Sequence, residues 1–192
     1  KDLAFRAHAL IASHVNRNLP VHVTLTKRIP PGAGLGGGSS DAAAMLVGLD
    51  RLFDLALDQS TFVEVASQLG SDVAFLVGAL RGAPSAVVSG LGEHITPAPR
   101  REPMPIVLIV PPFGCPTGPV YQAFDRLHGD AAPVDPDLAR VTQLASLSPL
   151  PQDAPFNDLA DPACEVEPRL RDAWHRARES LGLPVHVTGS GS

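Results

Sequence analysis

Residues 28–44 read RIPPGAGLGGGSSDAAA, which puts two prolines, five glycines within seven positions and two serines directly ahead of helix-forming residues. Glycine is used where the chain must take positive φ or where a ligand must touch bare backbone, and each one raises the entropy lost on folding. A cluster of this size needs a compensating interaction, and the helix that follows supplies one. Its first N–H groups lack intrahelical acceptors and its dipole leaves partial positive charge there, so a phosphate is stabilised at that end. Upstream, residues 21–25 (VHVTL) have the β-branched content of a strand. The unit reads as strand, glycine turn, helix.

Three phosphate-loop or linker readings meet this stretch. A Walker A loop needs a lysine to reach the outer phosphates, and Gly37 is followed by Gly38 where that lysine should stand. Gly32, Gly34 and Gly37 do spell the dinucleotide fingerprint GxGxxG. Yet Pro30 and Pro31 intervene between strand and loop, and the acid at the expected distance, Asp50, falls inside a helix instead of closing a second strand. A plain flexible linker does not sit between a strand and a serine-capped helix in a compact domain.

The flanking pattern is that of an α+β protein. Leu3, Ala7, Leu10, Ile11 and His14 mark an opening amphipathic helix. A helix starting at Ser39 or Ser40, with Asp41 in its first turn, carries Ala42, Met45, Leu46, Leu49, Leu52 and Phe53 at helical spacing. Another, capped by Asp58 or Ser60, shows Phe62, Val65, Ala66 and Leu69 and stops at Gly70. A polar elbow, Gly70-Ser71-Asp72-Val73, precedes strand material at 75–77 and 85–89, and Gly90-Leu91-Gly92-Glu93 closes that section. Four prolines within residues 97–105 mark a boundary between a domain of residues 1–102 and one of residues 103–192. The second reads as a buried strand at 106–110, a helix at 120–127, an irregular stretch at 130–155 with one short helix, a longer helix at 165–181 and a strand at 183–187. The chain opens without methionine and ends in a glycine turn that introduces nothing, so it is expected to be an internal piece of a longer protein.

Composition narrows the function. With 44% hydrophobic and 18% charged residues the chain is globular, and 5% aromatic content with a net charge of −5 argues against a nucleic-acid partner while leaving room for a local phosphate site. The longest aliphatic run, 106–110, is too short for a bilayer, and no signal segment opens the chain, so a cytoplasmic protein with no membrane partner is the simplest reading. Cys115 and Cys164 are too few for a disulfide framework, and neither they nor the seven histidines have metal-ligand spacing; they read as ordinary reduced thiols.

The segment KRIPPGAGLGGGSSDAAAML resembles the ATP-binding motif of the GHMP small-molecule kinases. Its triple glycine followed by SSD, where other members have a shorter GLGSS form, is similar to the branch acting on CDP-methylerythritol in the non-mevalonate route to isoprenoids. LGSDVAFLVG, GLGEHITP, CPTGPVY, FNDLADPA and VTGSGS follow in the family's order, so the resemblance covers nearly the whole chain. It implies a two-domain fold, with a ribosomal-protein-S5-domain-2-like first domain and a ferredoxin-like second one. It also implies an ATP- and Mg²⁺-dependent kinase with a small-molecule acceptor. The family's opening strands, with its catalytic lysine and part of its cytidine pocket, would lie outside this chain, which is therefore expected to be inactive alone.

Residue by residue, the resemblance implies that Pro30, Pro31, Gly32, Ala33, Gly34, Leu35, Gly36, Gly37 and Gly38 wrap the ATP triphosphate through their main chain. Positive φ is expected at Gly36 and Gly37 in particular. Ser39 and Ser40 read either as helix caps or as holders of phosphate or Mg²⁺. Lys27 would border the adenine, or is simply solvated. Asp72 would take the proton of the acceptor hydroxyl, against the alternative of an N-cap; Ala74 stands beside it where the family has proline. Thr117 and Tyr121 match the cytidine-side residues, with Tyr121 as a π-face for the base or as a core residue. Gly189, Ser190 and Gly191 resemble the turn near the acceptor and the transferred phosphate.

Overall fold

The computed structural model describes residues 2–99, 104–129 and 137–191. Its elements are α1 (Leu3–His14), α2 (Gly37–Phe53), α3 (Gln59–Ser67), α4 (Val73–Leu80), β1 (Ala86–Ser89), β2 (His94–Pro97), α5 (Thr117–His128), α6 (Asp137–Ser146), α7 (Ala160–Val166) and α8 (Pro168–Leu181). They divide into two compact units that interleave along the chain. The first holds Lys1–Thr26, Gly36–Arg101 and Leu138–Leu147; the second holds Lys27–Leu35, Glu102–Asp137 and Ser148–Ser192. The boundary expected between residues 102 and 103 lies outside the described residues.

In the first unit the core is helical. α1 starts at an Asp2 side chain that accepts from the Ala4 N–H at 2.9 Å, and it buries Ala4, Ala7 and Ile11. α2 buries Ala42, Leu46 and Leu49 of the expected face and adds Ala43 and Val47, whereas Leu52, expected on that face, is exposed. Asp58 caps α3 by accepting from the Thr61 N–H at 2.8 Å, which also holds its carboxyl below the usual carboxylate range. α1, α3 and α4 share one cluster with α2 in which Ile11, Leu46, Phe62 and Val73 are fully enclosed. β1 and β2 pair antiparallel with Val87 opposite Thr96 and Val88 opposite Ile95, joined through the Gly90–Glu93 turn.

Several strand expectations fail, for one physical reason. Residues 75–77 lie in α4, because the apolar run VAFLVGAL is a buried helix and a short apolar run fits either state. Residues 21–25 keep a period-two alternation, with Val21, Val23 and Leu25 half-buried and His22 and Thr24 exposed. They nevertheless form no ladder among the described residues. Residues 106–110 are not buried; Val107 is 87% exposed and Ile106 69%. Residues 183–187 are likewise unpaired among the described residues. Strand propensity is a fit to a pleated surface, and without a hydrogen-bonding neighbour it does not make a strand.

The second unit has a smaller core of Cys115, Val120, Ala163, Cys164, Leu170 and Val187. Both cysteines are free and buried, and burial pushes both thiols up. The single helix expected over 165–181 is two. Pro168 opens α8 and forces Glu167 out of helical geometry, at φ −129° and ψ 88°. Glu167 then caps α8 at the Arg169 N–H, and the Arg169 side chain holds its carboxyl below the usual range.

Candidate active site

The glycine arc, residues 32–35 of the second unit with Gly36 opening the next segment of the first, has one anchored face and one bare face. Gly32, Gly34 and Gly36 have φ of +78°, +64° and +65°, which alternates left-handed turns with Ala33 and Leu35. Ala33 is 5% exposed, and it and Leu35 line an apolar cavity of about 90 Å³ together with Trp174 and Val187. A Cβ added at Gly32 or Gly36 would meet nothing within 4 Å. Gly34 is the opposite case: its Cβ would stand 3.0 Å from the Thr188 carbonyl carbon and press harder still on the oxygen. Only glycine lets the arc lie against the second turn at this point. Thr188 Oγ1 donates to the Gly34 carbonyl at 3.1 Å, closing the two turns on each other.

That second turn is itself held. Gly189 and Gly191 have φ of +53° and +98°. Ser190, 8% exposed, shares a 2.9 Å hydrogen bond with Thr117 at the start of α5. Thr117, Ser190, Gly189 and Gly34 are thus brought together, as four of the expected site residues. Tyr121 stands one turn along α5 from Thr117 and is 52% exposed, so it is not a core residue. Lys27, Pro30 and Pro31 are exposed.

The start of α2, in the first unit, departs from expectation in register. Its N-cap is Gly36, no side chain caps it, and the Ser40 N–H makes the first bond, to the Gly36 carbonyl at 2.8 Å. Gly37 and Gly38 are helical, and neither is at positive φ. Gly38 lies against Leu3 of α1, where an added Cβ would come to 3.4 Å. Ser39 and Ser40 are therefore half-buried positions of the first and second turns instead of caps, and Asp41 is moved past the first turn. Among the described residues no N-cap side chain bonds the start of this 17-residue helix and its first turn holds no carboxylate, an arrangement that favours an anion. Asp50, which a dinucleotide fold would need at a strand end, is instead committed inside α2: it accepts from the Leu57 N–H at 3.0 Å and pairs with Arg81 at 3.7 Å.

Asp72 occupies the N-cap position of α4 with φ −85° and ψ −18°, yet its side chain caps nothing. Its carbonyl accepts from Leu76 at 3.0 Å while the carboxylate is exposed. The capping alternative is thereby removed. The hairpin turn presses on the residue before it: Gly92, at φ +102°, places its Cα so that a Cβ would lie 2.7 Å from the Ser71 Cα and carbonyl carbon. Glu93 stiffens that turn by accepting from Leu91 N–H at 2.6 Å, and its own backbone N–H, with that of Leu91, holds its carboxyl below the usual range.

Sequence reasoning quoted the GLGE and FNDL segments without giving Gly92 or Asn157 a role. Asn157 Nδ2 donates to the carbonyls of Val187 and Gly189 at 2.9 and 2.8 Å, and its Oδ1 accepts from the Leu159 N–H at 3.0 Å.

Comparison with known proteins finds relatives along the whole of this chain. The family described as GHMP kinases N terminal domain matches residues 2–80. A 4-diphosphocytidyl-2-C-methyl-D-erythritol kinase of Thermobifida fusca (strain YX) is 38% identical over 192 residues, covering 99% of this chain and 61% of that protein. The kinase of the same name from Arthrobacter sp. (strain FB24) is 33% identical over 198 residues, covering 100% of this chain and 60% of that protein. The crystal structure of a 4-(cytidine 5'-diphospho)-2C-methyl-D-erythritol kinase superposes with a TM-score of 0.69 at 35% identity, covering 100% of this chain and 67% of that one. The chain belongs to the GHMP kinase family, with its α+β fold. It spans about 60% of the length of these two curated relatives.

Proposed function

We propose that the protein is an ATP-dependent kinase, acting in the cytoplasm, that phosphorylates the 2-hydroxyl of 4-diphosphocytidyl-2-C-methyl-D-erythritol on the non-mevalonate route to isoprenoid precursors. The observation that carries this reading is the 38% identity, across 99% of the chain, to the Thermobifida fusca kinase of that name. The chain's proposed domain limits are residues 1–102 and 103–192, with residues 27–35 and 138–147 grouped across that division.

Each group has a role that its setting supports. Main chain from Pro30 to Gly38 cradles the triphosphate, with Lys27 bordering the adenine; the bare positions at Gly32 and Gly36 leave room for close approach. Ser39 and Ser40 present hydroxyls in the first two turns of α2 that would hold Mg²⁺ or a phosphate oxygen, which fits a hard cation bound mainly through substrate phosphates. Mg²⁺ supplies neutralisation of the charge on the transferring group. Thr117, Tyr121, Gly189, Ser190 and Gly191 hold the cytidine-diphosphate acceptor, with the exposed Tyr121 ring as a stacking face. Asp72 accepts the acceptor's hydroxyl proton as the new O–P bond forms and the bond from the γ-phosphorus to the β–γ bridging oxygen breaks, leaving ADP.

The test is steady-state phosphorylation by the full-length gene product, with Asp72→Asn beside wild type. Wild type is expected to turn over CDP-methylerythritol and not homoserine. Asp72→Asn should keep nucleotide affinity and lose about 10²–10⁴-fold in kcat. A variant within threefold of wild type would remove Asp72 from the chemistry, and turnover of homoserine instead would overturn the acceptor.

A further inference from the structure

We infer that Asn157 is a positioning residue that sets the second glycine turn and, through Thr188, the phosphate arc. The carboxamide is used completely in one direction: both N–H groups go to carbonyls of the turn, at Val187 and Gly189, while the oxygen caps Leu159 at the mouth of α7. Val187 and Gly189 flank Thr188, so the clamp fixes the residue whose hydroxyl reaches the Gly34 carbonyl at 3.1 Å. Gly189 is also in backbone contact with Gly34, since a Cβ on Gly189 would lie 2.8 Å from the Gly34 Cα and carbonyl oxygen. One side chain from the FNDL segment thereby orients two turns that lie far apart in sequence. Two carbonyls pointed at one nitrogen repel each other unless a donor stands between them, which is why the amide cannot be replaced by an acceptor.

The inference rests on the reading of the arc as a nucleotide site, and the experiment separates the two. Asn157→Asp keeps the Leu159 cap and loses both donors. Nucleotide titration with ATP and amide hydrogen exchange are run on the full-length gene product at pH 5.5 and pH 8. At pH 8 the variant should bind ATP about tenfold more weakly, with faster exchange at Gly189, Ser190 and Gly191. The two carbonyl oxygens that face the new carboxyl disfavour its charged form, so at the lower pH a protonated fraction regains one donor and part of the loss should be recovered, which a merely structural lesion would not show. Thr188→Val, which removes only the link to Gly34, should weaken ATP several-fold with turn exchange unchanged. A folded Asn157→Asp with wild-type exchange and affinity, or Thr188→Val with wild-type affinity, overturns the inference. Wild type that binds no ATP overturns the nucleotide reading instead, while the exchange measurement still judges the clamp.

Discussion

Gly34 and Gly36 have nearly the same backbone, φ +64° and +65°, and opposite surroundings. A side chain at either position incurs the left-handed penalty, about 1–2 kcal/mol. Only at Gly34 must the Thr188 backbone also move, and main chain in a hydrogen-bonded turn does not yield easily. Gly34→Ala is therefore expected to destabilise more than Gly36→Ala and to loosen the second turn with it. Urea midpoints of the two variants measure this, and equal losses would mean that the Gly34 contact carries nothing beyond φ. Gly37 is the instructive contrast: positive φ was expected there, but the residue is helical, so its importance cannot come from backbone strain.

Among the elements, the β1–β2 hairpin is small, yet its turn backs the elbow that carries the proposed base. Gly92 rests on Ser71, directly before Asp72, and Glu93 keeps the turn in shape. Gly92→Ala should push the elbow outward. A displacement on the order of 1 Å can cost about a hundredfold in rate, so kcat is expected to fall sharply while ATP affinity stays within about threefold of wild type. Unchanged kcat in a folded variant would show that the hairpin does not position Asp72. The α7–α8 junction follows the same logic of small parts with placed consequences, since Pro168 ends one helix and the Glu167 carboxylate starts the next.

For the molecule as a whole, two cores are filled and one apolar stretch is not. Ile106, Val107, Leu108, Ile109 and Val110 are each at least 48% exposed, consecutive, and without a ladder among the described residues. Such a stretch is a template for association between chains. Residues 1–192 by themselves are expected to associate with rising concentration, and Val107→Lys, at the most exposed position of the five, should shift them toward monomer. Analytical ultracentrifugation of both is the measurement. Wild type that stays monomeric throughout would show that the stretch is harmless.

What the sequence determined by itself is what local physics determines. The Asp58 cap, most of the buried faces of α1, α2 and α3, and the positive φ at Gly36 rest on propensity, periodicity and the freedom of glycine. The break at Glu167 was equally local and went unread, although Pro168 announces it. Tertiary structure decided the rest. α2 starts at Gly37, ahead of the serines, and residues 106–110 form no strand among the described residues because a strand needs an edge that no propensity provides. The link from Thr188 to Gly34 spans 154 residues and that from Thr117 to Ser190 spans 73. Contacts of that separation leave no trace in a local pattern, since each partner is chosen for the carbonyl or hydroxyl it will meet only after the chain has folded.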